Sequence, residues 1–369
     1  MTEVVWVELT TAFTDAWHRQ PDPANRPDGR RPSNPQWVLV SALWLLAAWT
    51  PETAPGWAST LVLGKAGDPR DEPWPAPPER LAAIADLPEV SGAVPCTGTS
   101  SKDDRSTSSE ELVSLLAEAT HVHDARQTSL VRYLAHEAVG GYGDLLRLTT
   151  TEDDPALHLL HRDHYGSTVR ITLEPAPAVR RPPVIADDGA DGALRTRIAC
   201  LATLLSEHLM VNNNNPVDFR FRIGRLPEGE TQDGDGLAAA TRHWSATRED
   251  AEDHAGEEPT FGPTTFSELR TSLRNTARLS LVDLWDGSWD GIDELPEIPA
   301  DHLVPHLVDD LVDVIERRLG GALVAVNGYL PTEWPPPDPA EEDDGEDEYA
   351  YVLFVRGDEV GVLDIDQSC

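Results

Sequence analysis

The amino-acid sequence predicts an α+β protein with an N-terminal helical region, a central mixed α/β region, and a C-terminal helix packed on a three-stranded antiparallel sheet. Two patterns support this prediction: apolar residues recur at helical spacing in some segments and alternate with polar residues in others. The chain has 369 residues, of which 40% are hydrophobic. That size and composition suffice for two or three domains with buried cores.

The N-terminal region, residues 1–96, is predicted to be helical and rich in tryptophan. Residues at helical spacing in its first segment are Val5, Trp6, Leu9, Phe13 and Trp17. An apolar run from Trp37 to Trp49 follows, and its 13 residues are too few to cross a bilayer. We therefore expect this run to form a buried helix. Residues 97–107 are rich in serine and threonine and are typical of a linker.

The central region, residues 108–225, changes from helical to alternating periodicity. Residues 169–174 and 217–223 alternate apolar and polar side chains, which predicts two amphipathic strands. Residues 194–210, between them, carry an apolar stripe at helical spacing and predict a helix. Residues 226–263 contain ten acidic residues and little periodicity, so we expect an acidic flexible insertion there.

The C-terminal region, residues 264–369, shows the clearest pattern. Its last four predicted elements are a helix over residues 301–319 and strands over residues 323–326, 349–355 and 359–365. The last two strands flank a Gly-Asp turn, which favours a hairpin. The acidic tract at residues 338–348 is then a loop between strands rather than a free tail.

The charge of the chain is strongly negative and concentrated towards its C-terminus. The formal net charge is -36, and from Asp283 to Cys369 there are 24 acidic residues against three arginines. Such a field repels nucleic acid and anionic lipid and attracts basic surfaces. We therefore expect a protein partner with a basic surface, no direct nucleic-acid binding and no membrane. The alternative is that the charge only keeps the protein soluble.

Several classes of chemistry lack their sequence signatures. Only two lysines occur, Lys65 and Lys102, and neither has the neighbours of a phosphate-binding loop. No G-x-S-x-G or G-x-G-x-x-G motif is present, so serine hydrolase and dinucleotide-binding functions have no support. The cysteines Cys96, Cys200 and Cys369 form no C-x-x-C pair, which argues against a disulfide framework or a zinc finger.

The N-terminus lacks the basic region of a signal peptide. A cytoplasmic location is therefore expected.

The histidines His158, His161 and His164 form the densest titratable cluster, with Asp163 among them. A spacing of three places neighbours on one face if the segment is helical, which is a workable geometry for a divalent metal. This predicts a metal site and, with it, a metal-dependent phosphohydrolase. The alternative is that these are surface or hydrogen-bonded histidines.

Arginines on the predicted strands form a second candidate site. Arg220 and Arg222 fall side by side on the polar face of one strand, and Arg170 lies on the polar face of the other. Guanidinium groups in this arrangement suit a phosphate or carboxylate. The alternative is a solvated strand face whose arginines pair with the protein's own carboxylates.

The repeat around Trp285 and Trp289, two tryptophans in Asp-Gly turns, is a candidate partner-binding surface. The acidic tract supplies further candidates, namely Asp343, Asp344, Glu346 and Asp347. The alternative is that both tryptophans are buried in the core.

Two functions follow as expectations. The first is a non-catalytic interaction or regulatory protein without a cofactor, whose acidic C-terminal module binds a basic protein or mimics nucleic acid. The second is a metal-dependent hydrolase that uses the histidine cluster. The missing catalytic motifs and the charge asymmetry favour the first.

Overall fold

The protein has an α+β fold with antiparallel sheets, as the sequence predicts. The computed structural model describes residues 4–19, 34–51, 57–63, 113–114, 116–140, 143–148, 157–163, 168–175, 185, 190–210, 217–228, 236–246, 260–281, 302–334 and 349–367. In this part of the chain, no helix has the length and hydropathy that a membrane crossing requires.

The helices and strands follow one another in a mixed order. They are β1 (Val7–Glu8), α1 (Leu9–Arg19), α2 (Asn34–Trp49), β2 (Trp57–Leu63), α3 (Ala125–Gly140), β3 (Gly143–Leu148), β4 (Leu157–Asp163), β5 (Thr168–Pro175), α4 (Ala190–Met210), β6 (Val217–Arg225), α5 (Gly236–Ser245), β7 (Gly262–Thr264), α6 (Phe266–Leu281), α7 (Leu303–Leu319), β8 (Leu323–Asn327), β9 (Tyr349–Arg356) and β10 (Glu359–Gln367).

The chain divides into two compact units. The first comprises Met1–Trp17 and Pro183–Cys369, and the second comprises His18–Pro182. The second unit is thus inserted into the sequence of the first.

The first unit contains a six-stranded sheet in the order β1-β6-β10-β9-β8-β7, in which every neighbouring pair is antiparallel. The predicted C-terminal strands are β8, β9 and β10. They continue through β6, which the sequence assigns to the central region, to β1 near the N-terminus. The sheet is therefore wider than the three strands predicted from local patterns.

One face of this sheet is covered by helices α4, α6 and α7. Its apolar residues alternate along each strand, as in Phe219 and Phe221 of β6, which are almost fully buried. Phe354 of β9 lies 5.9 Å from Phe221 and 5.9 Å from Phe266 of α6, between ring centroids. These contacts make the helical face the main core of the unit.

The side chain of Ser206, near the end of α4, satisfies a backbone group of β6. The amide N–H of Phe219 donates a hydrogen bond to Ser206 Oγ at 2.7 Å, and the hydroxyl lies 3.4 Å from the Phe219 carbonyl oxygen. Both residues are buried.

We expect Ser206→Ala to lower the free energy of unfolding by about 1–3 kcal/mol, because it leaves the buried N–H of Phe219 without its partner. Urea unfolding measures this change, and a variant as stable as the wild type would contradict it.

The opposite face of the sheet is apolar only at the end near the β9–β10 turn. There α5 packs through Ala239, Ala240 and Trp244 against Leu353 and Val362. The sequence expectation for residues 226–263 was a flexible insertion, and the structure instead forms a helix within it. The three buried residues of α5 are too few to produce a long periodic pattern, and burial against the sheet stabilises the helix.

The second unit contains a four-stranded antiparallel sheet in the order β2-β5-β4-β3, with helices α2 and α3. Leu45 and Leu46 of α2 are fully buried, as expected for the apolar run in this helix. The guanidinium of Arg126 lies 5.3 Å from the ring centroid of Trp49, and Gln127 Nε2 donates to Thr50 Oγ1 at 3.3 Å. These contacts join the end of α2 to the start of α3.

Candidate partner-binding face

The six-stranded sheet carries tyrosines and charged side chains on the same side as α5, at the end away from the β9–β10 turn. We call this surface the tyrosine–aspartate face, and its members are Asp218, Arg220, Arg222, Tyr349, Tyr351, Asp364 and Asp366. Strand alternation places them on one side of β6, β10 and β9, opposite the helical layer. The alternation of the buried residues between them confirms this assignment.

Two rows of residues run across the strands on this face. In the first, Asp366 of β10 pairs directly with Tyr349 of β9 and with Asp218 of β6. In the second, Asp364 pairs with Tyr351 and with Arg220. Directly paired residues in antiparallel strands have Cβ atoms about 4.5–5.5 Å apart. Each row therefore places a tyrosine ring next to a carboxylate.

Asp364 of the second row forms a largely buried ion pair with Arg222, which lies one row further along β6. Arg222 Nη2 lies 2.8 Å from Asp364 Oδ2, and the side chains of Arg222 and Asp364 are 21% and 15% exposed. Burial raises the pKa of the Asp364 carboxyl above its ordinary value, and the Arg222 guanidinium opposes that shift. This pair fixes the inner part of the face and leaves its outer part more accessible.

The outer row brings two carboxylates together. Asp218 and Asp366 are directly opposite each other, and like charges in this position repel. Arg220 Nε lies 2.7 Å from Asp218 Oδ2 and compensates part of that charge, although the Arg220 side chain is 56% exposed. A cation that approaches this row gains attraction from both carboxylates.

The aromatic rings form a continuous series across the face. Trp244 of α5 makes edge contacts with Phe261 and Tyr351, with ring centroids 5.2 and 4.6 Å apart. Tyr351 and Tyr349 lie nearly parallel, with centroids 6.3 Å apart. Tyr349, at the end of the series, is 42% exposed. Its ring provides an aromatic surface next to Asp366.

The residues that flank the acidic tract in the sequence, Trp334 and Tyr349, belong to the described part of the first unit. Residues 335–348 connect Trp334, which follows β8, to Tyr349, the first residue of β9. Strands β8 and β9 are paired antiparallel neighbours. The Arg278 guanidinium lies 3.8 Å from the ring centroid of Trp334, so both ends of this connection are held by the fold.

The structure places the predicted anion-binding arginines in different surroundings. Arg220 and Arg222 lie side by side on β6, as expected, and each is paired with a carboxylate of the protein. Arg170 lies on β5 in the second unit. Anion binding would require Arg220 and Arg222 to leave their carboxylates, and it stays a prediction.

The predicted metal site falls on a strand rather than a helix. His158 and His161 belong to strand β4 (Leu157–Asp163). The helical geometry on which the metal prediction depended is therefore not formed by this segment. His164 lies outside the described residues. Within the described residues, no group of three histidine, cysteine, aspartate or glutamate side chains is arranged to hold a metal ion.

The partner-binding residues predicted from the sequence lie outside the described part of the chain. They are Trp285, Trp289, Asp343, Asp344, Glu346 and Asp347. The tyrosine–aspartate face was not predicted. Its signal is present in the sequence as polar residues at every second position of the last two strands, in Tyr-Ala-Tyr and Asp-Ile-Asp.

Comparison with known proteins finds no matching family model, no matching curated protein and no matching solved structure. The function is therefore inferred from the chemistry of the protein's own residues.

Proposed function

We propose that this protein is a non-catalytic interaction protein whose acidic C-terminal module binds a protein partner with a basic surface. The observation that supports this most directly is the outer row of the tyrosine–aspartate face. Tyr349, Asp366 and Asp218 lie side by side where the acidic connection enters β9. An exposed aromatic ring next to carboxylates suits an arginine or lysine side chain.

The charge of the chain supports the same class of partner. Residues 283–369 have 24 acidic side chains against three arginines. Two of those arginines are committed to the fold: Arg318 pairs with Glu359, and Arg356 donates to the Arg318 carbonyl oxygen. A field of this sign accelerates association with a basic surface and makes the affinity fall with salt.

Mimicry of nucleic acid is one form that this function takes if the partner is itself a nucleic-acid-binding protein. A row of carboxylates then occupies the basic surface that otherwise binds phosphates. A competition experiment distinguishes nucleic-acid mimicry from other binding to a basic protein. A short DNA duplex should displace the protein from a nucleic-acid-binding partner and leave a complex with any other partner intact.

The first experiment identifies the partner and tests the acidic connection. Tagged protein is used to capture partners from the host lysate with and without nuclease, and the affinity of the purified partner is then measured. In the test variant, the acidic residues of 341–348 are replaced by serine, asparagine and glutamine at constant length, so that β8 and β9 stay joined. We expect affinity to fall at least tenfold at about 0.1 M salt, where the Debye length is about 10 Å. Unchanged affinity for every captured partner would refute the proposal.

A second test addresses the tyrosine–aspartate face. We expect Tyr349→Ala to weaken partner binding about five- to tenfold, because it removes the ring that a cation stacks on. Tyr349→Phe keeps the ring face and should bind as the wild type does. Leu323→Ala is the matched control, since Leu323 is 48% exposed and lies at the opposite end of the sheet, paired with Val355. Equal losses for Tyr349→Ala and Leu323→Ala would argue against this face.

A further inference from the structure

Two histidines face each other where α4 ends and α7 begins. His208 lies in the last turn of α4, and His302 immediately precedes α7. Their ring centroids are 5.1 Å apart, and the ring planes are inclined by 44°. Neither residue belongs to the tyrosine–aspartate face, which lies on the other side of the sheet.

His302 is the N-cap of α7. Its backbone is extended, and its Nδ1 accepts a hydrogen bond from the Val304 amide at 3.3 Å. Nδ1 must be unprotonated to accept this bond. Protonation removes the cap and also places a positive charge at a helix N-terminus, where the helix dipole disfavours cations.

His208 is held in its neutral form by its surroundings. Burial lowers the pKa of His208 to about 4 from the ordinary value of 6.5, and the facing His302 contributes to the shift. Other titratable groups near these helix ends are Glu207 on α4 and His306 on α7. Asp218, on the β6 strand that α4 packs against, projects from the opposite face of the sheet.

We propose that the His208–His302 pair is an acid-sensitive lock that holds the start of α7 against the end of α4. When both imidazoles are neutral, the cap is intact and the rings pack in the helical layer. When they are protonated, the cap is lost and two cations lie about 5 Å apart in a half-buried position. The contact then opens, and the N-terminal turn of α7 is released.

The direction of the pH dependence follows from proton linkage. A histidine whose folded pKa lies below its unfolded value contributes stability that is fully present above pH 6.5. That contribution is lost as the pH falls towards 4, because the unfolded state binds the proton more readily. A difference of this size changes the unfolding equilibrium constant by roughly two orders of magnitude.

The test compares urea unfolding between pH 7.5 and pH 4.5 in the wild type and three variants. His302→Asn keeps a good N-cap residue but does not titrate, and His208→Leu removes the buried imidazole. We expect His208→Leu to lose much less stability than the wild type over this pH range, and His302→Asn to lose less than the wild type but more than His208→Leu, because His208 and the effect of its burial remain. His243→Asn, on α5, is the control and should match the wild type. If His302→Asn and His208→Leu lose as much as the control, the proposal is overturned.

A measurement on the unaltered protein keeps the proposal testable if a variant fails to fold. The His208 ring resonance is followed by NMR as the pH is lowered. We expect no protonation of His208 above about pH 5 and, at lower pH, a simultaneous change in the amide resonance of Val304. Protonation of His208 near pH 6.5 without a change in the amide resonance of Val304 would overturn the proposal.

Discussion

Alanine in place of Gly328 is expected to lower the free energy of unfolding of the first unit by about 2–5 kcal/mol. Gly328 has a φ of +85°, and a Cβ atom there would lie 2.2 Å from the backbone carbonyl oxygen of Tyr349. The left-handed conformation costs a non-glycine residue about 1–2 kcal/mol. The overlap adds about 1–3 kcal/mol because the start of β9 has to shift.

Two other glycines provide matched controls for this measurement. Gly357 and Gly321 also have positive φ, at +60° and +79°, but a Cβ atom at either would meet nothing within 4 Å. Alanine at these positions should therefore lower the free energy of unfolding only by the cost of the left-handed conformation, about 1–2 kcal/mol. Urea unfolding at pH 7.5 gives all three values. If Gly328→Ala is no more destabilising than Gly357→Ala, the close approach to Tyr349 is not a constraint on the fold.

Removing the carboxylate of Asp310 is expected to have the largest effect among the ion pairs of the helical layer. Asp310 of α7 is 5% exposed and accepts two hydrogen bonds from Arg197 of α4, one of them at 2.7 Å from Nε. Asp310→Ala leaves a guanidinium that is 15% exposed without its partner. Breaking a buried pair in this way costs about 3–5 kcal/mol, because the remaining charge is desolvated and uncompensated.

The neighbouring residue, Asp309, provides a control. It separates the cost of breaking a buried ion pair from the cost of removing an aspartate near the surface. Asp309 pairs with Arg274, whose side chain is 49% exposed, and Asp309→Ala should cost less than about 1 kcal/mol. The double variant Arg197→Met/Asp310→Leu should recover most of the stability lost in Asp310→Ala, since it leaves no buried charge. Denaturant unfolding of the three variants tests both statements. Equal costs for the two single variants would show that the Arg197–Asp310 pair is not buried as described.

Elements with a complete local pattern were predictable from the sequence. Strand β6 alternates strictly over residues 217–223, and α7 repeats leucine and isoleucine every four residues up to Leu319. Their predicted bounds lie within two residues of the observed ones. In both elements, local propensity and burial favour the same structure.

Elements stabilised by distant partners were not predictable in the same way. Strand β2 (57–63) lies in a region predicted to be helical, and it is formed by pairing with β5, more than a hundred residues later. The order of the six-stranded sheet likewise depends on pairing between regions that the sequence assigns to separate parts of the chain. Periodicity reports the face that an element buries but not the partner that it buries against.

The candidate site was likewise predictable from the sequence only in part. The sequence indicates which strand carries Arg220 and Arg222. It does not indicate that Asp364 lies opposite Arg220 and forms an ion pair with Arg222. Tyr349 and Asp366 have no motif, and they become neighbours only through the register of β9 and β10. The proposal of a basic partner depends on the charge asymmetry, which is visible in composition, and on this register, which is not.

The position of β10 in the sheet determines when, during synthesis of the chain, the sheet can be completed. Strand β10 lies between β6 and β9, and 142 residues separate Asp364 from its partner Arg222. At ordinary rates of synthesis, β6 leaves the ribosome on the order of ten seconds before β10 exists. During this interval the apolar side chains of Phe219 and Phe221 can be covered by α4 and, once they are synthesised, by α6 and α7, but strand β6 lacks its neighbour β10. The sheet of the first unit is therefore completed only after β10 has been synthesised, however quickly its separate elements form.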